Sequence, residues 1–497
     1  MLNHYSFIDM HFSIPDTQEF IDSAGNPYVG YNIHINGLFH CTVRYKQLHN
    51  LHEQLAKEQD ISLPAFPPKK FFPLTISQQE ERRVALEKYI QSIGQNIIVS
   101  NSGILNGFLL SAQQETIGGP IHNGNLDVSL MNGAKISISV STDENSEELL
   151  KKVCKQLRLL DQYHPYFALY IIAQDDTVPN GDIYVLRKLQ NFESPFISLK
   201  NIHTIGTKIV LAKNYWDIIY DLELFNDVVA LNLLYIQAVA EIQRGWVIAS
   251  TQEVKNQLLI LHKEEKRKEY LEVARTLKYY GYIQFAPCYC DYPQSDSKVL
   301  VAIGRNELNL RVFSSGNEQH EAVFKVSRMR CWRITTLQNG LDRSEECDFS
   351  LELSFEYLIA KNQLQWITIT SEQAILMSVC LQSMIDELLL KTVGGNKCPQ
   401  PSNKPWTYIM RDGQSRITMG ATSQEEAEKN SKINQISSNP QKSDPLMKKI
   451  VDKLSVVKAK KTERRKSLGS TTIQRKPTSE GDIMENNAFR MIGDDDL

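Results

Sequence analysis

Hydrophobic positions in the first hundred residues follow two successive periodicities. Apolar side chains alternate up to Asn36-Gly37 and alternate again beyond this pair. Asn-Gly between alternating runs predicts a β-hairpin, because both central residues of a type I′ turn need positive φ. Helical periodicity follows over residues 45–57 and 77–93, with a proline-rich segment between them. Strands followed by helices predict an α+β domain.

A second alternating pattern begins near residue 125 and also contains an Asn-Gly pair, Asn132-Gly133. An amphipathic helix follows it, and two hairpin strands followed by a helix are typical of the start of a ubiquitin-like β-grasp. The next stretch is predicted to be mostly helical, and short alternating strands dominate after it. A long closing helix is predicted from about residue 370 to 392, with Thr370 and Gln373 at capping-box spacing.

The composition changes again beyond Gly395. Ser, Asn, Gln, Lys, Pro and Glu dominate there and aromatic residues nearly vanish, which predicts a largely disordered tail. Residues 448–476 hold eleven Lys or Arg against two acids, a net charge of +9. Residues 477–497 hold six acids against one Arg, a net charge of −5. The chain is therefore predicted to divide into one domain, three lobes and a tail, with limits at 10–116, 123–213, 214–281, 282–395 and 396–497.

The chain as a whole is nearly electroneutral. Its 58 acidic and 55 basic residues give a net charge of −3, which argues against a nucleic-acid partner. Eight cysteines without a CxxC pair argue against a disulfide framework or a zinc site and favour a reducing compartment. No signal-peptide pattern or membrane-spanning stretch is found. We expect a cytoplasmic protein without a metal or cofactor, meeting membranes only from the cytosolic side.

Basic residues in the first domain have a distinctive spacing. Arg44 and Tyr45 stand at a predicted strand end, Lys69 follows the proline-rich loop, and Arg82 lies on a helix in an Arg-x-x-x-Leu-x-x-Tyr pattern. The block resembles a phox-homology (PX) domain. A guanidinium binds a phosphate bidentately, so the resemblance implies that Arg44 holds the 3-phosphate of phosphatidylinositol 3-phosphate. It also implies that Tyr45 lies beneath the inositol ring, Lys69 binds the 1-phosphate and Arg82 binds the 4- and 5-hydroxyls.

Several other interpretations remain for this block. Each basic residue taken singly is more often a solvated surface cation. Phe71, Phe72 and Leu74 are candidates for membrane insertion beside the lipid, although the two phenylalanines could instead pack under the loop. The proline-rich segment could also be an SH3 ligand. His49 and His52 share a helix face, but a third metal ligand is lacking nearby, so surface histidines are favoured.

The order of β-grasp, helical lobe and strand-rich lobe closed by one helix is similar to a FERM module, and the whole chain resembles the PX-FERM sorting nexins. Strings such as LPAFPPKK, LNLLYIQAVAEIQRGW and ITSEQAILMSVCLQSMIDELL carry this resemblance. It implies an α+β multidomain fold: a PX domain with a three-stranded sheet plus helices, then ubiquitin-like, helical and PTB/PH-like lobes. The third lobe would bind NPxY or NxxY motifs of receptor tails, of the lipoprotein-receptor and integrin type, on a strand edge.

Candidate residues for this cargo groove lie on two elements. Trp332 and Arg330 stand on the strand expected to receive the peptide, and Ile385 and Leu389 stand one turn apart on the closing helix. For Trp332, Ile385 and Leu389 the alternative is an ordinary core position.

The chain terminates in AFRMIGDDDL. On composition alone this is either a solvating acidic end or a short linear motif. The family resemblance implies that it docks the retriever/commander complex, with anchors at Ile492, Gly493, Asp494, Asp495 and Leu497.

Together these features predict an adaptor rather than an enzyme. It would sit on the cytosolic face of early and recycling endosomes, bind phosphatidylinositol 3-phosphate and NPxY cargo, and return cargo to the cell surface. Two modest affinities on one chain multiply at one membrane through effective concentration. The alternative is a band-4.1-like linker to the cytoskeleton, but an actin-binding or coiled-coil segment is not evident. Sequence motifs of a P-loop, GxSxG, HExxH or HRD type are also lacking.

Overall fold

The computed structural model describes most of the chain before residue 393 and short pieces beyond it. The described residues are 10–22, 24–58, 63–70, 74–174, 183–202, 204–313, 320–339, 348–361, 363–392, 406–409, 416–419, 483–486 and 489. They form four structural units, which we call the N-terminal, β-grasp, helical and sheet units.

The N-terminal unit packs four helices on a four-stranded antiparallel sheet. Its strands and helices are β1 (Phe12–Ser13), β2 (Thr17–Ile21), β3 (Pro27–Ile35), β4 (Leu38–Arg44), α1 (Tyr45–Leu55), α2 (Ile76–Gly94), α3 (Ile97–Ser100) and α4 (Gly103–Gln113). The sheet order is β1-β3-β2, and β4 pairs with β3. Asn36 and Gly37 have φ values of 51° and 83°, so the predicted type I′ hairpin is confirmed. The two-residue strand β1 extends the three strands predicted.

The β-grasp unit has a five-stranded sheet in the order β6-β5-β9-β7-β8. Its elements are β5 (Asn123–Ser129), β6 (Lys135–Ser141), α5 (Ser146–Leu157), β7 (Phe167–Gln174), β8 (Ile183–Lys188), α6 (Pro195–Lys200) and β9 (Thr207–Lys213). The hairpin between β5 and β6 differs from the first one. Gly133 alone of its Asn-Gly pair has positive φ, and Leu130 N–H donates to the Ala134 carbonyl at 2.8 Å, which closes a three-residue loop.

The helical unit shares one hydrophobic core with the β-grasp unit. Its helices are α7 (Asp221–Leu224), α8 (Val228–Gln243), α9 (Gln252–Lys263) and α10 (Arg267–Ala274). The Asp221 carboxylate is fully buried and accepts hydrogen bonds from Tyr215 and Tyr280, and Arg275 approaches it to 3.1 Å. This network joins the two units through polar contacts as well as apolar packing.

The sheet unit has its own core beneath the closing helix. Its elements are β10 (Ile283–Gln284), β11 (Cys288–Cys290), β12 (Ser297–Gly304), β13 (Glu307–Val312), β14 (His320–Lys325), β15 (Met329–Asn339), β16 (Asp348–Ala360), β17 (Gln363–Thr370) and α11 (Ala374–Thr392). The strand order is β14-β13-β12-β11-β17-β16-β15, and β10 pairs with β12.

The predicted capping box of the closing helix is wrong. Helix α11 begins at Ala374, and the Gln373 side chain instead bridges two units. Its carbonyl oxygen accepts from Ala286 N–H and its amide donates to the Val185 carbonyl, both at 2.8 Å. Tertiary contact therefore replaces local capping at this residue.

Three short strands lie in the part of the chain predicted to be a disordered tail. They are β18 (Trp406–Ile409), β19 (Arg416–Met419) and β20 (Ile483–Glu485). Strands β18 and β19 pair with each other, whereas β20 adds to the sheet unit beside β15. The rest of the tail lies outside the described residues.

The N-terminal unit contacts both the β-grasp and the sheet units. The buried Gln113 amide donates to Ser198 Oγ at 2.9 Å and accepts from Ser194 N–H at 2.8 Å. At the tip of the first hairpin, a Cβ built on Gly37 would lie 3.2 Å from Ile375 Cδ1 on α11. The first domain is therefore packed against the module that follows it.

The sheet unit is joined to the segment before the helical unit by a buried carboxylate. Glu387 on α11 accepts from the backbone N–H groups of Trp216 and Asp217 at 2.8 and 2.7 Å. The Trp216 indole N–H also donates to Ser383 Oγ at 3.0 Å. Helix α11 is therefore held to other parts of the chain by Gln373, just before its first residue, and by Glu387 within it.

Candidate functional site

The first candidate site surrounds Arg44 at the junction of strand and helix in the N-terminal unit. Arg44 terminates β4 and is the N-cap residue of α1. Its guanidinium carbon lies 3.3 Å from the centroid of the Tyr28 ring, and a guanidinium nitrogen lies 3.9 Å from the Asp22 carboxylate. The side chain is 43% exposed, so it can reach a phosphate without leaving a buried position.

Tyr45 is the centre on which three elements converge. The Arg82 guanidinium carbon lies 4.4 Å from the Tyr45 ring centroid, and the Tyr45 hydroxyl donates to the Pro67 carbonyl at 2.8 Å. Phe66 packs against the same ring with centroids 5.6 Å apart. The predicted residues Tyr45 and Arg82 are therefore in contact, the proline-rich loop is held beside them, and Arg44 precedes Tyr45 in the chain with its guanidinium over Tyr28.

The neighbour of Arg82 has a different role. The Arg83 side chain is only 13% exposed and pairs with Glu80 at 2.6 Å and Glu87 at 3.5 Å. Arg83 is thus engaged by two carboxylates, whereas its neighbour Arg82 contacts Tyr45.

The residues predicted to insert into the membrane are only partly described. Lys69 is exposed on the loop, two residues after Pro67, and Leu74 is half-buried. Phe71 and Phe72 lie outside the described residues. Ile76, the first residue of α2, has 86% of its surface exposed, and sequence reasoning missed this apolar residue.

The two histidines of α1 have partners other than a metal. His52 Nδ1 lies 2.9 Å from the Tyr89 hydroxyl, and burial is the main cause that lowers the pKa of His52. His49 lies 3.6 Å from Glu53. Among the residues that the structure describes, no cluster of three or more His, Cys, Asp or Glu is arranged to hold a metal ion. In the same part of the chain, no helix has the length and apolar character to cross a bilayer.

The second candidate site is the edge of the sheet unit at β15. Trp332 has no exposed surface, and its indole N–H donates to Ser378 Oγ on α11 at 2.9 Å. The Ser378 hydroxyl donates in turn to the sulfur of Met484 on β20 at 3.2 Å. Trp332 is therefore a core residue that links the edge strand, the closing helix and the tail strand.

The other predicted cargo residues have different surroundings. Arg330 is 47% exposed and pairs with Glu356 on the neighbouring strand. Ile385 is 1% exposed within the core beneath the sheet, and Leu389 is partly buried at the margin of that core. Their assignment to a cargo-binding groove stays a prediction.

Strand β20 occupies the free side of β15. The two run antiparallel, with Trp332 opposite Met484 and Cys331 opposite Glu485. Asn486, only 4% exposed, follows this strand. Its side-chain amide donates to the carbonyls of Val326 and Met329, both at 2.7 Å, and its backbone N–H donates to the Arg330 carbonyl at 3.0 Å.

Phe489 N–H donates to the Asn486 carbonyl at 3.1 Å, so an asparagine and an aromatic residue three positions later are linked by a backbone hydrogen bond directly after the added strand. Sequence reasoning missed Ser378, Met484 and Asn486 as residues of this site. The Asn-x-x-aromatic spacing was a readable signal for Asn486. Ile492, Gly493, Asp494, Asp495 and Leu497 lie outside the described residues.

Comparisons with protein families divide the chain in the same order. The descriptions that match are PX domain at residues 31–112, sorting nexin 17/27/31 FERM F1 lobe at 124–216, sorting nexin 17/31 FERM F2 lobe at 217–278, and sorting nexin 17 FERM C-terminal domain at 281–389.

Curated relatives match over nearly the whole chain. Sorting nexin-17 of Danio rerio is 41% identical over 496 residues, covering 98% of this chain and 100% of the relative, and sorting nexin-17 of Homo sapiens has the same identity and coverage. Sorting nexin-31 of Homo sapiens is 34% identical over 413 residues, covering 82% of this chain and 93% of the relative.

Proposed function

Because the chain belongs to the sorting nexin-17 family, which joins a PX domain to a FERM module, we propose that it is an endosomal sorting adaptor. It binds phosphatidylinositol 3-phosphate through the N-terminal unit and NPxY or NxxY receptor tails through the sheet unit. Through its C-terminus it recruits the retriever/commander complex, which returns the cargo to the cell surface.

The lipid-binding part of this proposal rests on the surroundings of Tyr45. Arg82 supplies a guanidinium group against the Tyr45 ring, Arg44 supplies a second one over the Tyr28 ring, and Lys69 adds an ammonium on the adjoining loop. Guanidinium groups suit phosphate and vicinal hydroxyls, and the ring offers a flat apolar surface to the inositol. The Asp22 carboxylate, 3.9 Å from Arg44, would be replaced by the 3-phosphate as the arginine's anionic partner.

The observation that carries the cargo-binding part is the chain's own Asn-x-x-Phe segment on the β15 edge. Residues 483–485 add as an antiparallel strand, the Asn486 side chain donates to two backbone carbonyls, and Phe489 N–H donates to the Asn486 carbonyl. An NPxY peptide has the same sequence of features, an extended stretch, an asparagine and an aromatic residue three positions later. Strand addition to a sheet edge is a general mode of peptide recognition. A receptor tail is therefore expected to bind this edge in the place of residues 483–489.

In this arrangement cargo and the tail compete for the same strand edge. The side of β15 that does not pair with β16 is covered by strand β20 at Cys331, Trp332 and Arg333. A cargo peptide must displace β20 before its own asparagine can reach the carbonyls of Val326 and Met329. Displacement would release residues 483–486, which precede the proposed retriever anchors Ile492, Gly493, Asp494, Asp495 and Leu497 in the chain.

The cargo proposal is tested by calorimetric titration of the full chain with an NPxY peptide. We expect saturable 1:1 binding. A peptide with its asparagine N-methylated cannot reproduce the hydrogen bond that Asn486 N–H makes with the Arg330 carbonyl, so its affinity should fall by at least tenfold. Equal affinity of the two peptides would contradict binding by strand addition to this edge.

The retriever proposal requires a separate experiment, because its anchors belong neither to the lipid pocket nor to the segment that pairs with β15. Deletion of Leu497 should remove retriever from a pulldown and leave liposome and NPxY-peptide binding unchanged. Retention of retriever by the deletion variant would contradict the assignment of these anchors.

A further inference from the structure

A cavity lies where the β-grasp, helical and sheet units meet, apart from both proposed binding sites. Its volume is about 120 Å³. All three units contribute side chains to its wall, and the residues used below are Ile183, Lys213, Trp216, Glu241, Trp246 and Val379.

The size and lining of this cavity distinguish it from a packing defect. Protein interiors contain few voids larger than a water molecule. An apolar cavity of about 150 Å³ in another protein stays dry and binds benzene, so a space near this size accommodates about six carbon atoms. Most of the exposed wall is apolar, so water finds hydrogen-bonding partners only in part of this space.

One corner of the cavity is polar. Glu241 is 6% exposed and accepts a hydrogen bond of 2.8 Å from the Gln237 amide. Lys213 also lines the cavity, with its ammonium 4.4 Å from the Tyr280 ring centroid. Burial raises the pKa of Glu241, and the nearby Lys213 charge opposes this shift.

Glu241 and Lys213 are of opposite charge and interact electrostatically, so a charged head group placed beside both would be repelled by one of the two. An uncharged group that both donates and accepts a hydrogen bond, such as a hydroxyl, fits between a carboxyl and an ammonium. We propose that the cavity is a binding site for a neutral amphiphile with an aliphatic body of about six carbon atoms and a hydroxyl head beside Glu241 and Lys213.

The cavity provides its own reporters, since Trp216 and Trp246 both line it. The probe is 6-bromohexan-1-ol, because a bromine atom in contact with an indole quenches its fluorescence. We expect saturable quenching of the full-length protein. Trp246→Phe should reduce the amplitude of the quenching, whereas Trp366→Phe, on β17 and outside the cavity, should retain it.

A second ligand tests the preference for an uncharged head group. At pH 7.5, 6-bromohexanoate has the same chain and bromine but carries a carboxylate, which would meet Glu241. Its midpoint should lie at least tenfold higher than that of the alcohol. Equal midpoints would overturn the assignment of a neutral head.

Two variants fill the cavity from opposite walls. Val379→Phe, from α11, and Ile183→Phe, from β8, should each raise the midpoint for 6-bromohexan-1-ol by at least tenfold. The matched control is Val323→Phe on β14, where the side chain is 47% exposed and outside the cavity, and its midpoint should equal that of the natural protein. Near-ultraviolet circular dichroism identifies which variants remain folded.

The proposal is overturned if quenching increases linearly with concentration and never saturates, or if the folded filling variants are quenched with the original midpoint. If one variant unfolds, the other and the Trp246→Phe amplitude still decide the outcome.

Discussion

Replacement of Asn486 by alanine should increase the affinity of the full chain for an NPxY peptide. In the closed arrangement the Asn486 side chain donates two hydrogen bonds, each 2.7 Å long, to the carbonyls of Val326 and Met329. The change removes both donors and leaves the sheet-unit residues that are predicted to bind cargo unaltered. It therefore weakens only the binding of residues 483–489 to the β15 edge.

The magnitude follows from these contacts. A hydrogen bond in a folded protein contributes about 0.5–1.5 kcal/mol, so two contribute about 1–3 kcal/mol. A ligand that binds only the open form has its affinity reduced by the fraction of molecules that are open. When the closed form predominates, a loss of about 1–3 kcal/mol raises the apparent affinity roughly 5- to 150-fold. Complete removal of residues 483–497 sets the upper limit of this gain.

The assay is isothermal titration calorimetry of the natural chain, Asn486→Ala and the deletion variant with one NPxY peptide. Asn125→Ala, at an exposed position of β5, is the matched control and should bind as the natural chain does. If the natural chain and the deletion variant bind with the same affinity, the tail does not compete with cargo and the reasoning is refuted.

Three further predictions concern the proposed lipid pocket, the core of the sheet unit and His40, which is buried against Phe192. Arg82→Ala should reduce binding to vesicles containing phosphatidylinositol 3-phosphate at least tenfold in a sedimentation assay, whereas Lys88→Ala, an exposed cation on the same helix, should not; equal losses would indicate a general charge effect. Trp332→Ala should lower the free energy of unfolding by about 3–5 kcal/mol in urea, because it empties a fully buried site, and a loss below about 1 kcal/mol would contradict the core placement. Burial lowers the pKa of His40 from 6.5 to about 4, so the unfolded chain takes up its proton first as the pH falls below 6.5, and the stability present above that pH is lost towards pH 4. Between pH 7.5 and 5 this loss should be about 2 kcal/mol in urea titrations, and His40→Gln should show a correspondingly shallower pH dependence; an unchanged slope would exclude His40 as the source.

The Trp332 prediction also changes how the cargo site can be tested. Sequence alone left a core role and a groove role open for this residue, and the hydrogen bond to Ser378 makes it part of the core. Loss of peptide binding by Trp332→Ala would then follow from unfolding as easily as from a lost contact. Changes in the peptide or in Asn486 avoid this ambiguity because they leave the sheet unit unaltered.

The sequence predicts elements best where local chemistry decides the backbone. At Asn36-Gly37 the expected type I′ turn forms because two strands meet with a two-residue connection. The identical dipeptide at residues 132–133 belongs to a three-residue loop, since strand register places Leu130 opposite Ala134. The Asn-Gly dipeptide therefore predicts a hairpin at both places, but the turn type depends on how the flanking strands pair.

Long-range contacts account for what the sequence did not reveal. Arg44, Tyr45 and Arg82 are identifiable because the PX resemblance fixes their spacing. The addition of residues 483–485 to a strand about 150 positions earlier depends on an edge that exists only after the sheet unit has folded. The same applies to Gln373, whose spacing suggested a cap and whose partners are distant in sequence.

The packing of the N-terminal unit against the later module has a consequence for which receptors can be selected. Gln113 and Gly37 contact the module that follows the N-terminal unit, so under the proposed function their packing sets the distance of the β15 edge from a bound bilayer. A receptor tail is anchored in the same bilayer and extends by at most about 3.3–3.6 Å per residue. Under the proposed function, a receptor whose motif follows its membrane span too closely would fail to reach the β15 edge, whatever its affinity in solution.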